Sequence, residues 1–181
     1  MTDLTNKKIL IIIAHQDYQD VEYGTPKGIF EGAGAKVTTA SSEASPAQGK
    51  LGGTAQVDVV LQDVSAADFD AVIFVGGAGA VNYVGDPEAS RIASEAIDQD
   101  KILGAICIAP TILAKAGVLQ GKKATVWHAS LEDDSIKQLQ AGGAEFVEQD
   151  VVVDGNIITA NGPGAAEEFG QKIVKALVNR D

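Results

Sequence analysis

Sulfur is scarce in this chain, with one cysteine, Cys107, and one methionine in 181 residues. A single cysteine excludes an intramolecular disulfide and any disulfide framework. Histidine is nearly as rare. His15 and His128 are far apart in sequence, and with one cysteine they make no zinc-ligand spacing. Aromatic residues amount to only 5%, so Val, Ile, Leu and Ala must build the core. Positive charge is also short, with 14 Lys plus Arg against 25 Asp plus Glu and a formal net charge of -11. A field of that sign repels nucleic acid and anionic membranes, and neither is expected as a partner. No apolar stretch reaches the roughly 20 residues of a membrane span. The N-terminal MTDLTNKK has no signal-peptide pattern, and a reducing cytoplasm is the expected compartment.

What is present suits one globular domain over 1–181, with 45% hydrophobic and 22% charged residues and no repeat or linker to divide it. The continuous apolar run over 9–14 predicts a buried strand, a helix follows over 22–31, and 36–40 is the next strand. This βαβ opening implies a parallel sheet with right-handed crossovers. Residues 41–53 are rich in Ser, Gly, Pro and Ala and read as loop, and 57–61 as a short peripheral strand. Strands are predicted over 71–75, 102–106 and 123–127, with a strand pair over 146–153 and 157–160 turning at Asp154-Gly155-Asn156. Helices are predicted over 87–100, capped by Asp86, and over 110–116, 133–140 and 165–178. The pattern is an α/β sandwich with a mostly parallel central sheet.

Within it, Cys107 occupies an abrupt junction. A buried strand ends at Ile106, one residue turns, and Pro110-Thr111 starts a helix. This is the logic of a nucleophile elbow, which needs small residues two before and two after the nucleophile. Here they are Ala105 and Ala109. Composition alone reads a lone cysteine as a small core residue; the strand–Cys–helix pattern favours a reactive one. A thiol at a helix start feels the positive end of the helix dipole, which favours thiolate. The backbone N–H groups there, including that of Ile108, can also hold an oxyanion. Val75-Gly76-Gly77-Ala78-Gly79 follows another buried strand, so Gly77 can present its N–H beside Cys107 at the carboxyl edge of the sheet. The loop matches neither a phosphate-binding loop nor a dinucleotide fingerprint, and by itself is a tight turn.

Four segments together resemble the ThiJ/PfpI superfamily, also called the DJ-1/PfpI family, which shares the class I glutamine amidotransferase-like fold. They are Asp20-Val21-Glu22, Phe74-Val75-Gly76-Gly77, Ala105-Ile106-Cys107-Ile108-Ala109-Pro110, and Asn161-Gly162-Pro163-Gly164 followed by Glu168-Phe169. The resemblance implies a flavodoxin-like three-layer sandwich and a homodimer or larger homo-oligomer. It implies that Glu22 lies beside the Cys107 sulfur as a largely protonated acid, raised by burial and by a thiolate neighbour. It also implies a place near the cysteine for His128, which alternatively reads as a surface or interface histidine. His15, at the end of the first strand, is expected on the same edge as a pocket or substrate-binding residue.

Many PfpI-type members have His directly after the cysteine, where this chain has Ile108. That weakens a peptidase reading and favours the DJ-1-like branch. The expected function is a cysteine-dependent enzyme, with no cofactor or metal, acting on small reactive carbonyls in glyoxalase III-like or deglycase-like fashion. The alternatives are another cysteine hydrolase or hydratase, of peptidase, amidase or isonitrile hydratase type, and a redox-sensing stress protein that oxidises Cys107.

Overall fold

The computed structural model describes residues 3–180. The chain runs β1 (Lys8–Ile12), β2 (Gln16–Tyr18), α1 (Asp20–Gly32), β3 (Lys36–Ser41), β4 (Ala47–Gly49), β5 (Thr54–Ala55), β6 (Val59–Val60), β7 (Ala71–Phe74) and α2 (Pro87–Asp98). It continues through β8 (Ile102–Ile106), α3 (Pro110–Lys115), β9 (Lys123–Ala124), α4 (Asp134–Ala141), β10 (Glu145–Phe146), β11 (Val151–Asp154), β12 (Ile157–Ala160) and α5 (Ala166–Val178). Seven strands form the central sheet in the order β11-β12-β8-β7-β1-β3-β6. All neighbours in it are parallel except β11 and β12, which are antiparallel.

Strand composition explains the layering. Ile9 to Ile13 and Ala71 to Val75 are buried without a break, because helices cover both faces of a parallel sheet. Alternate residues feed two cores. Leu10, Ile12, Val72 and Phe74 pack with α2, α3 and α4, whereas Ile9, Ile11, Ala71 and Ile73 pack with α1 and α5. The result is the expected three-layer, flavodoxin-like α/β sandwich. Gly104 lets α5 close on β8: a Cβ there would lie 2.8 Å from Ile73 Cδ1 and 3.0 Å from Phe169 Cζ. Asp86 caps α2 as expected, its Oδ1 accepting the Ala89 N–H at 2.8 Å. β1 pairs with β3 on one side and β7 on the other, so the chain reverses its winding between β1 and β7. Clefts form at such switch points, beyond the carboxyl ends of the strands.

Three local expectations change. The 41–53 loop contains β4, which joins β2 and β5 in a separate three-stranded sheet. Of the strand expected over 123–127, only β9 pairs, and it pairs with β10 outside the central sheet. Thr125 and Trp127 are instead recruited by other backbone: Thr125 N–H donates to Thr159 Oγ1 and Trp127 N–H to the Cys107 carbonyl. The strand expected over 146–153 splits accordingly, Phe146 going to β10 and Val151 onward to β11. No helix among the described residues is long and apolar enough to cross a membrane.

Candidate active site

Cys107 has φ of 65°, in the left-handed region. A non-glycine side chain there costs roughly 1–3 kcal/mol and persists only where surroundings enforce it. Here they do. The Cys107 N–H donates to Ala160 O at 2.9 Å, which prolongs the β8–β12 ladder, and its carbonyl accepts from Trp127 N–H at 2.8 Å. One residue later Ala109 N–H bonds back to Ile106 O at 3.1 Å and opens α3. The elbow therefore aims the sulfur off the end of β8.

Glu22 meets it from the first turn of α1. The Glu22 side chain is fully buried. Its Oε2 accepts the Gly76 N–H at 3.0 Å, while the buried Oε1 has no hydrogen-bond partner. Gly76 fits between the two side chains. A Cβ on it would lie 2.6 Å from both Cys107 Cβ and Glu22 Oε2, and 2.9 Å from Ile106 O. Gly77, with φ of 107°, carries the loop on against β2, and its N–H and that of Ile108 favour the thiolate form of Cys107.

Burial dominates the electrostatics. It pushes the Glu22 carboxyl up to about 7, against the hydrogen bonds from Cys107 and Gly76 that favour its charged form. It also pushes the Cys107 thiol up to about 12, helped by the Glu22 charge and the thiol–carboxyl hydrogen bond, against the N–H groups of Gly77 and Ile108. Glu22 is raised as expected. The thiol moves opposite to the expectation of a lowered value, because α3 has only six residues and a buried carboxyl outweighs its dipole. Above neutral pH the pair holds one proton, shared between carboxyl and sulfur. The carboxylate beside it is placed to take that proton, and the two N–H groups are placed to hold the thiolate that results.

The sulfur opens into a cleft of about 410 Å³ walled by Val81, Ile108, Trp127 and Pro163, with Gln19 and Lys50 along its edge. A larger hollow of about 590 Å³ between α1 and α5, lined by Ile29, Val174 and Val178, contains no nucleophile. Of the residues expected at the site, Cys107, Glu22, Gly77 and Ile108 converge on the cleft. The two histidines do not. His128 Nδ1 lies 2.9 Å from Val126 O, and its ring sits edge-on to Phe146, with centroids 5.3 Å apart. Its neighbour Trp127 faces the cleft instead. His15 is at the carboxyl end of β1 as expected, but its Nε2 turns to Ser45 Oγ at 3.3 Å and Glu43 Oε2 at 3.6 Å. Among the described residues no group of three or more His, Cys, Asp or Glu side chains is arranged to hold a metal ion. Gly76, Trp127 and Lys50 escaped the sequence reading; the doubled glycine was the one signal available for Gly76.

The chain matches the model of the DJ-1/PfpI family over residues 7–176. It belongs to the DJ-1/PfpI family. An uncharacterized protein of Methanocaldococcus jannaschii is 37% identical over 176 residues, which cover 97% of this chain and 84% of that one. A Pyrococcus furiosus protein named Deglycase PfpI is 33% identical over 170 residues, covering 94% of this chain and 99% of that one. The crystal structure of a ThiJ/PfpI domain protein from Brachyspira murdochii superposes with a TM-score of 0.89 at 35% identity, covering 95% of this chain and 96% of that one.

Proposed function

We propose that this protein is a cofactor-free enzyme that converts small 2-oxoaldehydes to 2-hydroxy acids, with Cys107 as nucleophile and Glu22 as its proton-transfer partner. The observation that carries the reading is the buried Glu22 carboxyl, fixed by Gly76 and left with one oxygen free to exchange a proton with the thiol. The deglycase name of the Pyrococcus relative points to the same class of electrophile. In the proposed sequence Glu22 takes the thiol proton and the thiolate adds to the aldehyde carbon, forming an S–C bond. The protonated Glu22 returns the proton to the new oxyanion. Glu22 then moves the C1 proton to C2 while the C1 hydroxyl proton passes to the C2 oxygen, which oxidises C1 to a thioester and reduces the ketone to an alcohol. Water cleaves the thioester and releases the acid and the thiol. No external oxidant or reductant enters.

The wall of the cleft suits a short, partly apolar substrate, and nothing in the reaction calls on His128. Ile108 stands where a peptidase-like member has histidine, and peroxide sensing would draw on the same thiolate as the enzymatic reading. We also propose self-association, as the family resemblance implies, and a cytoplasmic setting that keeps the lone thiol reduced. Methylglyoxal incubated with the purified protein is expected to yield lactate, and Cys107→Ala to abolish the yield. Equal turnover by the variant sinks the proposal.

A further inference from the structure

We infer that Lys50 makes this cleft selective for substrates that carry an anionic group beyond the reacting carbonyl. For the reaction this rests on the 2-oxoaldehyde reading; for the charge preference it rests on the cleft alone.

Besides the Cys107 thiol, two ionisable side chains line the cleft, Glu22 on its floor and Lys50 at its edge. Glu22 is occupied with Gly76 and Cys107. Lys50 is exposed, and among the described residues its ammonium has neither an ion pair nor a hydrogen bond. The backbone under it is fixed firmly. Lys50 N–H donates to Tyr18 O at 2.8 Å. The next residues hang on one carboxylate: Asp20 Oδ2 accepts Leu51 N–H at 2.7 Å and Oδ1 accepts Gly53 N–H at 2.8 Å. Gly49 and Gly53 have no room for a side chain, since a Cβ on either would fall 2.2 or 2.3 Å from Asp20 Oδ1. The turn is thus seated on a residue two positions before Glu22, in the same first turn of α1. One short stretch of helix sets both the base beside the sulfur and the cation at the mouth.

The consequence is local charge reversal. A chain of net charge -11 repels anions at long range. At the mouth of this cleft an unpaired ammonium faces solvent with largely apolar walls behind it, and Lys50 is the one cationic side chain in its lining. A neutral aldehyde gains nothing from Lys50. A 2-oxoaldehyde with a carboxylate or phosphate tail gains an ion pair and an orientation that leaves its carbonyl end towards Cys107.

The direct test needs no turnover. Iodoacetate and iodoacetamide differ mainly in charge, and both alkylate Cys107 by forming an S–C bond as iodide leaves and the thiol proton passes to Glu22 or solvent. The rate ratio of iodoacetate to iodoacetamide is expected to fall about three- to fivefold from the wild type to Lys50→Gln, the effect of one exposed charge pair. Lys50→Arg is expected to restore it. Equal ratios in the wild type and Lys50→Gln, or a Lys50→Arg that behaves like Gln, overturn the inference. The substrate arm compares kcat/KM for 4,5-dioxopentanoate, which gains one water to become 2-hydroxyglutarate, with that for its neutral primary amide. The carboxylate is expected to be preferred in the wild type and to lose that preference in Lys50→Gln. A Lys50-dependent alkylation ratio without hydroxy acid from either compound overturns the enzymatic reading and leaves the charge selectivity standing. Turnover of both compounds with a preference that ignores Lys50 does the reverse.

Discussion

Cys107 and Lys50 line one cleft but come from two different kinds of chain. Cys107 ends a buried parallel strand, and its backbone is fixed on three sides by β12, by Trp127 and by the start of α3. Lys50 sits on an exposed turn between β4 and β5, in a small sheet of two- and three-residue strands held to the body by β2 and Asp20. The floor is held because the Cys107 N–H, the Cys107 carbonyl and the Ile106 carbonyl all have backbone partners in the core. The edge holds its shape through one carboxylate and a few N–H groups that face water. The floor suits bond-making, which tolerates little misplacement. The edge suits substrate choice, where an exposed charge changes affinity modestly and is replaceable.

The sharpest way to break the floor is Gly76→Ala. The added methyl meets Cys107 Cβ, Glu22 Oε2 and the Ile106 carbonyl oxygen within 2.9 Å, and the last of these is backbone that cannot swing away. Overpacking of this kind costs about 1–3 kcal/mol. The larger effect is chemical, since the methyl separates carboxyl from thiol. Alkylation of Cys107 by iodoacetamide at neutral pH is expected to slow about a hundredfold, the lower end of the loss when a positioned base is removed. A matching drop in the urea midpoint would accompany it. A Gly76→Ala protein with wild-type alkylation would show that the thiol does not depend on Glu22.

Glu22→Gln probes the same floor by pH. The Glu22 carboxyl sits at about 7 in the folded protein against an ordinary 4.5. The folded state therefore holds a proton that the unfolded state has released. The stability this proton provides is complete below about 4.5 and is lost as pH rises through about 7; from the shift it amounts to about 3 kcal/mol. Urea unfolding is expected to show the wild type weakening between pH 5 and pH 8, and Glu22→Gln lacking most of that slope. Alkylation of Cys107 should rise through about pH 7 in the wild type, as the carboxylate that accepts the thiol proton forms, and lose that inflection in the variant. A wild-type stability flat across this range would place Glu22 in a less costly environment than its burial indicates.

The same contrast explains what the sequence disclosed. The floor was legible because its parts are local: an unbroken apolar strand, small residues at Ala105 and Ala109, and a proline helix start identify the elbow wherever it occurs. Glu22 came from the family resemblance, but its place in the first turn of α1 follows from the helix pattern. The edge was not legible. A Ser-, Gly- and Pro-rich stretch reads as loop, and β4 pairs with β2, some thirty residues away, as well as with β5, while Asp20 holds the turn between β4 and β5. The direction of the thiol was misread for a related reason. The helix start is visible in sequence, whereas burial and a facing carboxylate arise from β7, β8 and α1 closing together. The 123–127 segment reads as a strand, yet Thr159 and Cys107 claim N–H groups of its second half at the sheet's end.

The gentlest test separates neighbours on that segment. Trp127 is 43% exposed and walls the cleft, whereas His128 holds the Val126 carbonyl and the edge of Phe146 on the other side of the chain. His128→Ala removes one hydrogen bond and one aromatic contact, a stability loss of about 1–2 kcal/mol. Because its ring does not reach the cleft, the rate of Cys107 alkylation by iodoacetamide is expected to change less than about twofold, within the range of a remote surface substitution. Trp127→Ala opens the wall directly and is expected to alter protection of Cys107 by an aromatic aldehyde such as phenylglyoxal, while leaving the pH inflection with Glu22. If His128→Ala instead moves that inflection, the imidazole exchanges protons with the thiol–carboxyl pair, and the division between a floor that does chemistry and walls that choose substrate must be redrawn to include it.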